Sequence, residues 1–331
     1  VTAASVGRVA VDGKHLAVNG RPFRVRGVTY GSFVPRLDGD LFPERSAIKV
    51  DLAEIARAGL NTVRTYSLPP VEVFDVAAEL GLRLIVGLHY DDWRMEMHAG
   101  RAAARRVLDN GRRAIDTALE RCSGREEVLA ISVGNEVPSD LVRLHGIRSV
   151  ESTLSHLAGD VHAGDEHMLA TYSNYPTTEY LHIDGQDFAC FNVFLERKEQ
   201  LRAYLRHLQV AAGDLPVVIS ELGLASGLHG EAAQAASLGW QLREVDEAGV
   251  AGATIFAYTD EWGVAGRPVD GWGFGITTAG REPKQAFGVV RDWARQRLGD
   301  IRDSWPSISV VVCAYNEERS IDWCLRSLDR S

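Results

Sequence analysis

Long apolar runs, basic stretches and paired cysteines are all missing from this 331-residue chain, and each absence removes a class of function. No stretch approaches the roughly 20 apolar residues needed to cross a bilayer. The opening VTAASVGRVAVDGKHL has neither the basic nor the apolar region of a signal peptide. No membrane span is expected. Lys and Arg number 36 against 45 Asp and Glu, a formal net charge of -9 at pH 7, so neither nucleic acid nor an anionic membrane surface is an expected partner. The four cysteines, Cys122, Cys190, Cys313 and Cys324, contain no CxxC pair. That argues against a zinc ribbon or a disulfide scaffold and fits reduced thiols in a reducing compartment. His162 and His167 lie near a helix end and Asp91 and Asp92 precede Trp93, but neither group has metal-ligand spacing, so no metal and no cofactor is expected.

What is present is a repeated organisation: an amphipathic helix, a Gly at its end, then an apolar β-rich run. LAEIARAGLNTVRTY, VFDVAAELGLRLIVGLHY and LREVDEAGVAGATIFAY show it around Gly59, Gly81 and Gly249. Each Gly stands where a helix C-terminus calls for a left-handed residue, and each following run is apolar on both faces, as a parallel strand covered by helices must be. Eight such runs occur: FRVRGVTY, NTVRTY, LRLIVGLHY, VLAISVGN, HMLATYS, DFACFNVF, LPVVISE and GATIFAY. Eight strands close a (β/α)8 TIM barrel, placed at residues 23–298; an open doubly wound sheet competes, but no GxGxxG follows an early strand. Residues 1–22, with turns at DGK and NG, read as a β-hairpin capping the barrel floor.

Barrels carry their reactive groups where the C-terminal ends of the strands meet the following loops. Those ends supply Tyr30, Arg64, Tyr66, His89, Asn135, Glu136, Tyr172, Asn192, Glu221, Tyr258 and Trp262. Taken singly, each tyrosine and His89 could equally be a satisfied rim residue. Glu136 and Glu221 stand apart, because they end the fourth and seventh apolar strands and so place two carboxyl groups across one mouth. Cleavage of a glycosidic bond needs such a pair, one to protonate the leaving oxygen and one to attack or to activate water. The competing reading of either glutamate is a structural salt bridge to a neighbour such as Arg64.

SVGNEV and VVISELG together resemble the paired signatures of retaining clan A glycoside hydrolases. LAVNGRPFRVRGVTYG, GLNTVRTY, FAYTDEWGV and GFGITTAGREPKQAF extend the likeness to a family 2 catalytic barrel over about residues 11–295, while SVGNEV with GVTYG also resembles family 17 β-glucanases. The jelly-roll domain expected ahead of a family 2 barrel is absent. The resemblance implies Glu136 as acid/base, Glu221 as nucleophile, Asn135 on the sugar 2-hydroxyl, Arg64 holding the nucleophile ionised, and Trp262 under the reacting sugar. Tyr30, His89, Tyr172, Asn192 and Tyr258 remain candidates for substrate contact. It further implies an oligo- or polysaccharide substrate, expected to be a β-glucan, with water or another sugar as acceptor. A non-catalytic glycan-binding barrel is the alternative, disfavoured because a binding module has no need of paired carboxylates.

Beyond a linker at 299–307, residues 308–331 contain ISVVVCAYNEERSIDWCLRSL, an expected strand and amphipathic helix. This resembles the truncated start of a family 2 glycosyltransferase, which implies a covalently linked transferase domain in a longer protein; the competing reading is a C-terminal strand and helix that merely cap the barrel. The linker is too short and polar to span a membrane, so both parts are expected on one side, in the cytoplasm where nucleotide-sugar donors are made.

Overall fold

The computed structural model describes residues 7–96, 98, 100–264, 266–296 and 309–328. Three short strands, β1 (Val9–Asp12), β2 (His15–Val18) and β3 (Arg21–Phe23), form an antiparallel sheet in the order β1-β2-β3. The expected hairpin is thus one strand larger. Asn19 and Gly20 both take positive φ, 52° and 70°, the pairing that closes a tight two-residue turn, and this turn folds β3 back onto β2. Phe23 consequently belongs to the small sheet, and the barrel begins at Val25 rather than at 23.

Eight parallel strands follow: β4 (Val25–Thr29), β5 (Thr62–Arg64), β6 (Arg83–Gly87), β7 (Val128–Asn135), β8 (Leu169–Asn174), β9 (Ala189–Asn192), β10 (Val217–Glu221) and β11 (Gly252–Ile255). They close as β10-β11-β4-β5-β6-β7-β8-β9, which is the (β/α)8 barrel; each lies inside one of the eight runs read from the sequence except β8, which runs one residue past HMLATYS to Asn174. Between and around them run α1 (Arg45–Arg57), α2 (Val71–Leu80), α3 (Arg101–Cys122), α4 (Ser139–His145), α5 (Ile147–Gly164), α6 (Lys198–Ala211), α7 (Ser226–His229), α8 (Glu231–Glu247) and, after the short hairpin of β12 (Gly263–Val264) and β13 (Arg267–Pro268), α9 (Gln285–Arg295). Gly59, Gly81 and Gly249 all take the left-handed conformation that ends a helix before its strand.

Alternation along the strands sorts two apolar layers. Val28, Val63, Val86, Ile131, Val133, Ile219 and Ile255 face the helices and belong to one buried cluster with Ile48, Leu52 and Ile55 of α1; truncating a side chain as buried as Leu52 to Ala costs about 2–5 kcal/mol. Val25, Ile85, Leu129, Phe188 and Val218 face inward and join Val9 and Leu16 of the small sheet in a second cluster. The floor is therefore sealed with apolar side chains, which leaves the polar inward positions at the other end of the barrel. Among the described residues no helix is long and apolar enough to cross a membrane, and no group of three or more His, Cys, Asp or Glu side chains could hold a metal ion.

Contacts divide the chain into Val1–Arg295 and Gln296–Ser331. In the second unit the described residues form one helix, α10 (Ile321–Leu328), while residues 309–314, expected as a strand, form none. A strand needs a neighbour to take its backbone hydrogen bonds, and Val310, Val311 and Val312 are exposed. The linker expected at 299–307, together with Ile308, lies outside the described residues.

Candidate active site

The inward positions at the upper strand ends converge. Arg64 from β5 sends Nη1 to Glu221 Oε1 at the end of β10 (2.8 Å) and to the Ser220 carbonyl (2.9 Å), and Nη2 to Asn135 Oδ1 of β7 (2.7 Å) and Ser173 Oγ of β8 (3.1 Å). Asn192 closes the ring from β9. Its Nδ2 donates toward Glu136 Oε1 (2.8 Å), Glu221 Oε1 (2.9 Å) and Asn135 Oδ1 (3.1 Å), while its Oδ1 accepts from Ser220 Oγ (2.7 Å). One amide nitrogen thus lies within hydrogen-bond reach of both glutamates. Tyr66, two residues past Arg64 and so on the same face, donates its hydroxyl to Glu221 Oε1 at 2.7 Å.

Burial sets the electrostatics. The Glu221 carboxyl is pushed above its ordinary value first by burial, with Glu136 adding to the rise, while Arg64 and the Tyr66 hydroxyl pull it down. Arg64, expected to hold this carboxyl ionised, does pull its value down, but desolvation and the second carboxyl outweigh it. On Arg64 burial acts against the charge, yet Tyr66 and Glu221 raise the guanidinium above its usual value. Burial likewise raises the Tyr66 phenol well above the usual range, with Glu221 contributing, so the hydroxyl keeps the proton it donates.

Glu136 is held by its backbone. It takes φ of 48°, which costs a non-glycine residue about 1–2 kcal/mol, and hydrogen bonds around it hold the turn. Glu136 N donates to Ser173 O (2.8 Å) and Val137 N to the Tyr172 hydroxyl (2.9 Å). The Arg94 guanidinium reaches the carbonyls of Asn135 (3.1 Å) and Glu136. The strained turn lifts the carboxylate of a residue just past the strand over the mouth.

The structure therefore gathers Arg64, Asn135, Glu136, Asn192 and Glu221, and Trp262 stands beside them with its ring edge-to-face with Tyr66 at 5.3 Å. Three expected residues point elsewhere. Tyr30 donates to Asp51 Oδ2 (2.9 Å) and Tyr258 to Glu54 Oε2 (2.8 Å), both on α1, so these rings lie in the helix-facing layer rather than in the mouth. Tyr172 is buried behind the Glu136 turn and supports it from outside. His89, two residues past the end of β6, is exposed and has no hydrogen-bond partner among the described residues.

An aromatic wall escaped the sequence reading. Phe256 lies 4.7 Å from Trp262 and 5.2 Å from Phe274, which in turn meets Trp272 at 6.1 Å and Phe194 at 5.6 Å. Its loops are clamped by ions. Lys284, almost wholly buried, binds both oxygens of Asp260 (3.1 Å each), Ser226 Oγ (2.8 Å) and the Gly273 carbonyl (3.0 Å), and Arg281 pairs with Asp51 (3.2 Å) and with Glu261, the residue before Trp262. The alternating GWGFG at 271–275 was the available signal.

No protein-family model matches the chain, and no curated protein matches it. Solved structures do. A β-glucuronidase from Ruminococcus gnavus superposes with a TM-score of 0.73 at 20% identity, over 86% of this chain and 53% of that one. The same enzyme in complex with D-glucuronic acid gives 0.72 at 20%, over 86% and 51%. A Bifidobacterium dentium β-glucuronidase complexed with coumarin-3-O-glucuronide gives 0.71 at 19%, over 87% and 49%. The barrel shares its fold with these glycosidases, and the chain spans about half of their length.

Proposed function

We propose that the barrel is a retaining glycoside hydrolase or transglycosylase acting on a β-linked glycan, with Glu221 as nucleophile and Glu136 as acid/base. One observation carries the reading: both carboxylates are bound by the single Asn192 amide. The two bound oxygens can be no more than about 5.7 Å apart, the sum of those bonds, whereas inverting pairs, which must admit a water between them, begin near 6.5 Å. In the first step the Glu221 carboxylate bonds to the anomeric carbon while Glu136 gives its proton to the departing oxygen. In the second, Glu136 takes a proton from water or from an acceptor hydroxyl, which displaces Glu221 and restores both groups with net retention. Arg64 and Tyr66 hold the Glu221 oxygen in place and stabilise its charge each time it is released. Asn135, bound by Arg64, is the candidate donor to the sugar 2-hydroxyl.

Charge favours a neutral sugar over a glucuronide. Among the described residues, the four cations that hold the cluster and its aromatic wall are paired with carboxylates: Arg64 with Glu221, Arg94 with Asp92, Arg281 with Asp51 and Glu261, and Lys284 with Asp260. A buried charge already paired gains little from a second carboxylate. This absence of a spare cation among the four supports reading the substrate as a neutral glycan such as a β-glucan. The test is to incubate the protein with an activated 2-deoxy-2-fluoro-β-glucoside and map the adduct by mass spectrometry, with aryl β-glucoside and β-glucuronide turnover measured alongside. An adduct on the peptide containing Glu221 and preference for the glucoside are expected. Turnover with no adduct on Glu221, or preference for the glucuronide, sinks the corresponding half of the reading. Longer products from β-glucan oligosaccharides would identify transfer, and shorter ones hydrolysis.

A further inference from the structure

Trp272 and Phe194 are 44% and 40% exposed, although each packs on the wall that reaches the catalytic cluster. Large apolar side chains left partly in water forgo part of the stabilisation that burial would give. Their exposure does not come from a loose loop. The Trp272 segment is fastened on both sides. Lys284 and Ser226 Oγ bind the Gly273 carbonyl, and Gln234 Nε2 spans the carbonyls of Gly273 (3.1 Å), Phe274 (3.1 Å) and Gly275 (3.2 Å). The backbone also lies tight on α7, where a Cβ at Gly227 would meet the Gly271 carbonyl at 2.1 Å. A buried lysine and a buried glutamine thus hold an aromatic face open to solvent.

We propose that Trp272 and Phe194 form a second sugar subsite that takes a further unit of the same glycan chain whose reacting unit lies at Trp262; this rests on the glycosidase reading above. The chemistry is that of the first platform: the C–H face of a neutral pyranose packs on an aromatic ring with no demand for charge. Continuity identifies the occupant. Trp272 is two ring-to-ring steps from Trp262 through Phe256, of 6.4 and 4.7 Å, within the reach of a short oligosaccharide. The same wall leads through Tyr66 to the Glu221 oxygen. The enzyme should therefore prefer oligosaccharides to single-sugar glycosides.

Kinetics on an aryl β-glucoside and on laminari- and cello-oligosaccharides of two to six units test this. For the wild type, kcat/KM should rise with chain length in at least one series, mostly through a falling KM. Trp272→Ala should lower kcat/KM on the hexasaccharide about tenfold more than on the aryl glucoside, of the order an aromatic contact provides. Trp272→Phe should recover part of that loss, and Phe194→Ala should reproduce part of it. Equal losses on both substrate types, or no loss on either, overturn the subsite. Should the wild type turn over none of these compounds, the glycosidase reading fails first, and tryptophan fluorescence on addition of laminarihexaose or cellohexaose still decides: quenching by either that disappears in Trp272→Ala supports the subsite, and no change with both overturns it.

Discussion

Glu136 and Glu221 end two strands of one barrel, β7 and β10, yet the two corners are built on different principles. Glu221 is 6% exposed and receives hydrogen bonds from Arg64 of β5, Tyr66 of the loop that follows it, and Asn192 of β9. Glu136 is half-buried, and among the described residues its carboxylate takes one hydrogen bond, from Asn192, while the effort of the surrounding structure goes into its backbone. One corner fixes a carboxylate. The other fixes a main-chain turn and leaves the carboxyl room to exchange a proton. The difference is the one the proposed roles of nucleophile and acid/base call for, and it arises from which atoms the neighbours hold rather than from the residue type.

Removing each carboxyl in turn should break the comparison most visibly. Glu221→Gln should lower kcat by at least about 10⁴-fold on every substrate, since no covalent intermediate can form. Glu136→Ala should cost about 10²–10⁴-fold on natural linkages but far less on an aryl glycoside with a good leaving group, and added azide should restore turnover with a β-glycosyl azide as product. Stopped-flow and product analysis would read both. Azide rescue of the Glu221 variant instead, with none for the Glu136 variant, would exchange the two roles.

Arg64→Met addresses the Glu221 corner alone. Breaking a buried ion pair costs about 3–5 kcal/mol of stability, seen in denaturant unfolding, but the sharper readout is pH. The nucleophile must be ionised to act, and its carboxyl already sits above the ordinary value because burial and Glu136 outweigh Arg64. Loss of the arginine removes the largest influence in the opposite direction, so the acid limb of kcat/KM must move to higher pH. An acid limb that stays in place or moves down would show that Arg64 does not act on Glu221 charge.

The barrel was legible in the sequence because α1, α2 and α8 each give way to a glycine, Gly59, Gly81 and Gly249, before a run that is apolar on both faces, and that pattern depends only on local chemistry. The inner and outer faces of the strand ends were not. An apolar run covered on both sides carries no alternation, so nothing in GVTY says that Tyr30 turns toward α1, whereas VRTY happens to put Arg64 and Tyr66 on the inner face. Tyr30, Tyr172 and Tyr258 were placed at the mouth for that reason. The two glutamates, which the structure does bring together at Asn192, were readable because each is a charged residue at or just past the end of an apolar strand. Phe194, Phe256, Trp272 and Phe274 come from segments up to 80 residues apart in sequence, from Phe194 to Phe274, and only closure of the barrel brings them side by side.

The smallest effect expected belongs to Tyr172, and it sharpens the contrast between the corners. Its hydroxyl accepts from Val137 N, one residue past the strained Glu136, and its ring lies behind Gly134, where an added Cβ would come within 3.3 Å. Tyr172→Phe keeps the ring and removes the acceptor, leaving a buried N–H unpaired at a cost of about 1–3 kcal/mol. The turn that carries Glu136 should loosen, while Arg64, Tyr66 and Asn192 still hold Glu221. Proton delivery should suffer and nucleophilic attack should not. We expect kcat on a substrate with a poor leaving group to fall a few-fold, with little change on an activated aryl glycoside, whose first step needs no proton. Equal losses on the two substrates would mean that the hydroxyl supports the fold of the mouth as a whole, and that the two corners are less independent than their hydrogen bonds imply.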